Sequence, residues 1–363
     1  MKKMTIYIVC FLLAFVILPA AILITATVSG IGKKYEIVSN AQTDVGSIMI
    51  GDGGIDAALM NAGFNGGNSE MKIKVYFSDE DVTREMTLEE YVAGVILGEM
   101  RLTFDIEAIK AQAVASRTYT FYKILNGGAD DLRHKDGAVI CDDYSHCQAW
   151  ENPEIIFESY PTEQAKEYYN KIMTAVESTK GLVMSYNGEI VQAYYFSNGG
   201  GYTESVEDVW DSEAIDYLQS VPSVGDITSE SYCTIETFTP EEFKQCLKEL
   251  KPELAIDSED IYESIENCEK SESGRVKNMT IGGVVFKGTE LRTCLGLRST
   301  NFILRQIDSG EIIAVVFGSG HGVGMSQWGA GVMAASGSTY EEILLHYYQG
   351  VEIVNCSSFS LPS

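Results

Sequence analysis

Apolar positions along the 363-residue chain change period several times, and each change predicts a different kind of segment. Residues 4–31 carry no charge, a run longer than the roughly 20 residues a helix needs to cross a bilayer. No clear small-residue cleavage site follows, so the run predicts an uncleaved membrane anchor rather than a signal peptide. Lys2, Lys3 and the terminal amine slightly outweigh Lys33 and Lys34, which points to an inside N-terminus and an extracytoplasmic remainder. Residues 32–70 hold two glycine clusters and no long period, as in a flexible tether.

From residue 71 to 363 the pattern is that of a folded domain. Alternation over 72–77 predicts a strand. Thr87 and Glu90 form a capping box, and Leu88, Val92 and Val95 then recur at helical spacing. A second helix over 106–125 is apolar nearly all round and should be buried, with Ala108, Ala111, Ala113 and Ala115 admitting close neighbours. Residues 161–180 predict a threonine-capped helix stopped at Gly181, and Asn187-Gly188 joins strands 182–186 and 189–197 as a hairpin. Thr239-Pro240 opens another helix, 251–275 reads as an acidic surface excursion, and strands follow over 277–286, 302–307 and 312–317. Thr339 and Glu342 cap the last helix. Interleaving without regular alternation predicts an α+β fold.

Glu99 breaks this pattern. It occupies the next place in the apolar row of Leu88, Val92 and Val95, near a helix C-terminus where the dipole disfavours negative charge. Two readings fit: a carboxylate in a poorly solvated site, whose raised pKa makes it a general acid, or a helix-end side chain bent into solvent.

The charge narrows the partners. With 52 acidic against 26 basic residues, net −26, the chain does not suit sequence-independent binding to nucleic acid or anionic lipid. Two of its four histidines fall beside two cysteines in the polar loop His134, Cys141, His146, Cys147. Such donors make a closed tetrahedral zinc site, which the composition favours, while a Cys141–Cys147 disulfide remains open in an extracytoplasmic protein. Adjacent His146 and Cys147 are a demanding ligand pair. Cys10 lies in the anchor, and Cys233, Cys246, Cys268, Cys294 and Cys356 read as free core thiols with room for one bridge. Glycines around His321 and after Ser197-Asn198 allow close approach of a ligand, and each is equally a structural turn.

Five segments in order carry a resemblance: 91–100 with Glu99, 107–119 with Gln112 and Arg117, 195–200 from Tyr195 to Gly200, Leu295-Gly-Leu-Arg-Ser299, and 321–330 from His321 through Gln327. Together they resemble the stage II sporulation protein D family of membrane-anchored lytic transglycosylases, with the amidase-enhancer branch as a relative. The resemblance implies two lobes around a cleft that cuts peptide-stripped peptidoglycan glycan strands, with Glu99 as acid and then base. It also implies that Gln112, Arg117, Tyr195, Ser197, Asn198, His321 and Gln327 line the cleft. Arg117 is open to a second reading as an ion-pair strut. The implied partners are the amidase P and the membrane protein M of the same sporulation stage, working at the engulfing mother-cell membrane. The Cys/His cluster gains nothing from the resemblance. A non-catalytic glycan binder that stimulates an amidase is the competing function.

Overall fold

A computed structural model describes residues 71–210, 212–256 and 261–361, which lie in one contact unit. The expected anchor (4–31) and tether (32–70) lie outside them. Among the described residues no helix is long and apolar enough to cross a membrane.

Helices and short, mostly antiparallel sheets alternate irregularly, an α+β arrangement. Strand Lys72–Phe77 pairs antiparallel with Val82–Thr87 and parallel with the two-residue strand Ile140–Cys141. Thr87 ends the hairpin and caps α1 (Leu88–Glu99), with both halves of the expected capping box made. Helix α2 (Ile106–Leu125) is capped by Asp105 and buried on nearly every side, its four alanines at 0 % exposure. It is the axis against which α1, α3 (Thr162–Ser178) and the strand Leu182–Tyr186 pack. The third helix departs from expectation at its start: Pro161 is the N-cap, and Thr162 makes no cap bond.

Beyond the hairpin at Asn187-Gly188, the second strand is broken. Only Glu189–Ile190 pairs back on Leu182–Tyr186, and Tyr195–Phe196 leaves to run parallel to Met325–Ser326. A second apolar cluster gathers on α4 (Pro240–Leu250), α5 (Gly288–Cys294) and the sheet centred on Ile312–Phe317. The acidic excursion over 251–275 is not wholly irregular. Ile265–Lys270 is an edge strand, exposed along most of its length and therefore charged rather than alternating. Residues 276–287 form a hairpin, not one strand, because Gly282 and Gly283 both take positive φ (56° and 74°), as a two-residue turn requires. The chain ends with α6 (Gln327–Ala335), α7 (Tyr340–Tyr347, with its capping box) and Glu352–Asn355 on the Leu182–Tyr186 edge. Cys246 and Cys294 form a disulfide between α4 and α5, whereas Cys233 and Cys268 are exposed rather than core thiols.

Candidate active site

Glu99 is the last residue of α1. The helix stops there because Met100 turns extended, its N–H still bonded to the Ile96 carbonyl. The row of Leu88, Val92 and Val95 is buried as expected, and Glu99 is half-buried at its end. Each of its two oxygens has its own donor. Oε1 accepts the Ala149 backbone N–H at 2.8 Å, and Oε2 accepts the Gln327 side-chain amide at 3.1 Å. Burial pushes the Glu99 carboxyl above its ordinary value, against the opposing pull of Ala149, Gln327 and the nearby Tyr195 hydroxyl. A carboxyl pushed up yet oriented by donors is suited to give a proton and take it back.

Two glycines of α1 make this possible. At Gly98 a Cβ would stand 2.9 Å from the Ala149 carbonyl carbon, and at Gly94 it would stand 2.0 Å from Trp150 Nε1. The pair, one turn apart, is the bed on which Ala149 and Trp150 lie. Gln148, next to Ala149, accepts the Tyr195 hydroxyl at 2.9 Å and donates to Thr120 Oγ1 at 3.0 Å.

Gln327 opens α6, whose N-cap Ser326 accepts from the Gly329 N–H. The buried Asp226 accepts from the Ser326 hydroxyl (2.6 Å) and the Gly199 N–H (2.8 Å), tying that cap to the glycine loop after Ser197. Arg275, likewise buried, donates to the carbonyls of Gly199 (3.2 Å) and Gly320 (3.3 Å), and burial pulls it down to about 10. Its guanidinium leaves no room for a side chain at Gly322, where a Cβ would meet Cζ at 2.7 Å. Neither Asp226 nor Arg275 stands in a segment with a local signal.

The expected site residues divide accordingly. Glu99, Tyr195 and Gln327 come together. Ser197 is exposed, and its carbonyl accepts the Trp328 N–H at 3.0 Å. The other four are engaged by protein partners. Arg117 is fully buried, grips Glu89 through three bonds of 2.6–3.1 Å and donates to the Leu182 carbonyl, so the strut reading holds. Gln112 is fully buried and donates to Ser116 Oγ. Asn198 donates to the Asp226 carbonyl and accepts the Gly200 N–H. In His321 both nitrogens are committed to main chain: Nε2 donates to the Tyr195 carbonyl and Nδ1 accepts the Val323 N–H, each at 3.1 Å. Burial and the nearby Arg275 and Arg292 pull it down to about 3, so it is a neutral brace on Tyr195.

His134, Cys141, His146 and Cys147 converge, with one ligand atom from each lying within 4.8 Å of the others. Cys141 Sγ lies 3.2 Å from His146 Nδ1, and Cys147 Sγ lies 3.4 Å from His134 Nε2 and 3.7 Å from His146 Nδ1. A tetrahedral ion with ordinary zinc bond lengths sets S···N edges of about 3.5 Å. The outward nitrogens are anchored as metal-binding imidazoles usually are, His134 Nδ1 on the Gly128 carbonyl (3.0 Å) and His146 Nε2 on Asp131 (2.9 Å). Adjacent ligands are feasible because the turn from Asp143, whose carbonyl takes both the His146 and Cys147 N–H, points both side chains one way. Cys141 and Cys147 are not bonded to each other. Cys147 is two residues before Ala149, so the cluster is joined to the Glu99 contact by a short stretch of chain.

Comparison with known proteins gives these motifs a lineage. A family model described as Stage II sporulation protein matches residues 76–186. Stage II sporulation protein D of Bacillus subtilis is 36% identical over 292 residues, 80% of this chain and 81% of the relative. The protein of the same name from Bacillus amyloliquefaciens is 36% identical over 291 residues, with the same coverage. The amidase enhancer of Bacillus subtilis is 29% identical over 309 residues, 72% of this chain and 40% of that protein. The chain belongs to the stage II sporulation protein D family.

Proposed function

We propose that this chain is a peptidoglycan lytic transglycosylase acting on peptide-stripped glycan between N-acetylmuramic acid and N-acetylglucosamine during engulfment. The observation that carries the reading is Glu99: one half-buried carboxyl, raised by burial and oriented by the Ala149 and Gln327 donors. Protonated Glu99 gives its proton to the glycosidic oxygen as the C1–O bond breaks. The C6 hydroxyl of the same muramyl sugar attacks C1 and returns a proton to the Glu99 carboxylate. The products are a free hydroxyl on the leaving sugar and a 1,6-anhydro ring, with no water consumed. A hydrolase working through two carboxylates needs a second acid as base or nucleophile, whereas an intramolecular hydroxyl at high effective concentration removes that need.

In this reading the groove lies between the portion built on α2 and the portion built on α4 and α5, and residues 4–31 anchor the domain outside the cytoplasm. The amidase P would supply the stripped strands, and protein M would share the membrane. His134, Cys141, His146 and Cys147 would hold a structural zinc ion, with no open position for chemistry. Their role would be to fix residues 148–150 against α1.

The test is to incubate the extracytoplasmic domain with peptide-free glycan strands and read the product ends by mass spectrometry. Anhydro ends from the wild type, reduced at least about 100-fold in Glu99→Gln, are expected. Undiminished cleavage by the variant would remove Glu99 from the chemistry. The likeness to an amidase enhancer supports a second reading, glycan binding that stimulates an amidase. No anhydro ends from wild type, with stimulation of amidase release of stem peptides, would favour it.

A further inference from the structure

Arg117 is buried and spent on Glu89, so its guanidinium is not available to an acidic substrate group. A stripped muramyl residue carries a free lactyl carboxylate, and a chain of net charge −26 repels such a strand unless a local cation meets it. We infer that Arg101 is the residue that reads the lactyl carboxylate, so that the preference for stripped glycan is a reading of charge as well as of size. The inference rests on the glycan substrate proposed above, not on the cleavage chemistry.

Three observations place Arg101. It stands two residues beyond Glu99, in the exposed turn where α1 gives way to the 101–105 connection. Its guanidinium lies over the Trp328 ring, 4.8 Å from the centroid, and Trp328 follows the Gln327 that touches Glu99. It makes no ion pair among the described residues. Asp105, the acid of the same connection, instead accepts the Glu107 N–H as the cap of α2. A guanidinium held over an aromatic ring is not consumed by a carboxylate partner, and its N–H fork can still take one bidentately. Trp328 is itself fixed: Nε1 donates to Thr228 Oγ1 (3.1 Å), its N–H to the Ser197 carbonyl, and Phe104 meets the ring edge-on. Lys171 adds positive charge to the same connection, its ammonium on the carbonyls of Leu102 (2.8 Å) and Phe104 (3.2 Å).

The chemistry gives a sharp discriminator. When a stem peptide is attached, the lactyl carboxyl is an amide and carries no charge. An amidase that removes the peptide exposes the anion. A small neutral amide should therefore reproduce the loss of recognition without the bulk of a peptide.

The experiment uses peptide-free strands with free lactyl carboxylates and the same strands after carbodiimide coupling to methylamine. Arg101→Gln is expected to raise KM on free-carboxylate strands about tenfold or more at low salt, with a smaller change in kcat. Arg101→Lys should recover part of the loss. On methylamidated strands wild type should fall to the level of the variant, so the two changes are not additive. Equal cleavage of both strands by wild type, or an equal loss on both in Arg101→Gln, would overturn the inference. Strand affinity is measured in parallel for Glu99→Gln and Glu99→Gln/Arg101→Gln by calorimetry. A tenfold difference confined to free-carboxylate strands supports the inference even if no chain produces anhydro ends, and no difference overturns it.

Discussion

Glu99 is held by groups that cooperate only in the folded chain, and this has a stability consequence separate from catalysis. Its carboxyl is raised in the fold, so the protonated form is the one the native state favours. The stability linked to that proton is complete below the unfolded value of about 4.3 and is lost as pH rises through the higher folded value. Glu99→Gln, always neutral, is therefore expected to unfold at a higher temperature than wild type at pH 8, with the advantage vanishing near pH 4. Thermal scans of both proteins at the two pH values decide it. A constant difference would mean that packing rather than ionisation separates them. Cleavage should follow the same titration: it needs the proton at the start, so kcat/KM should fall as pH rises through the Glu99 value.

At the scale of elements, the site depends on how closely the 148–150 segment lies on α1. Gly98→Ala is informative because its ordinary effect is favourable. Alanine in place of glycine inside a helix stabilises by up to about 1 kcal/mol. Here the added methyl meets the Ala149 backbone at 2.9 Å, so the segment must move and its N–H leaves Glu99. The expected result is a net loss of about 1–2 kcal/mol in denaturant unfolding, with anhydro-end formation falling at least tenfold. A variant that gains stability and keeps its activity would show that the Ala149 contact is dispensable. The other flank depends on a cap: Asp226 holds Ser326, and Ser326 holds the first turn of the helix that carries Gln327.

At the scale of the whole molecule, the Cys/His loop joins distant parts. Cys141 lies on a strand edge pairing with Lys72–Phe77, His134 is tied to the turn after α2, and Cys147 leads into the segment on α1. Purified protein is expected to contain about one zinc per chain by elemental analysis, and Cys147→Ala to lose it. Chelation or that substitution should lower the unfolding midpoint by several degrees, since metal binding adds to folding free energy. It should also reduce cleavage through the Ala149 contact. Metal-free wild type with unchanged stability would refute the structural zinc site.

How much could be read in advance follows from the range of the interactions. Caps, helical periods and the Asn-Gly hairpin are settled within a few residues, and α1, α2 and α7 stand where the pattern put them. The Gly282-Gly283 turn was equally local and could have been recognised. Glu99 stood out because a carboxylate violated a local apolar row. The sequence by itself determined the α+β class, the elements, the odd acid and the grouping of two histidines with two cysteines. Only tertiary structure decided which polar groups face the acid. Glu99 meets Gln327 across 228 residues, His321 reaches the Tyr195 carbonyl across 126, and Arg117 finds Glu89 on a neighbouring helix. A buried polar side chain must satisfy its hydrogen bonds with whatever packing brings near, and no local pattern encodes that neighbour. For this reason the protein partners of Arg117 and His321, and the place of Arg101 beside Trp328, became visible only in the fold.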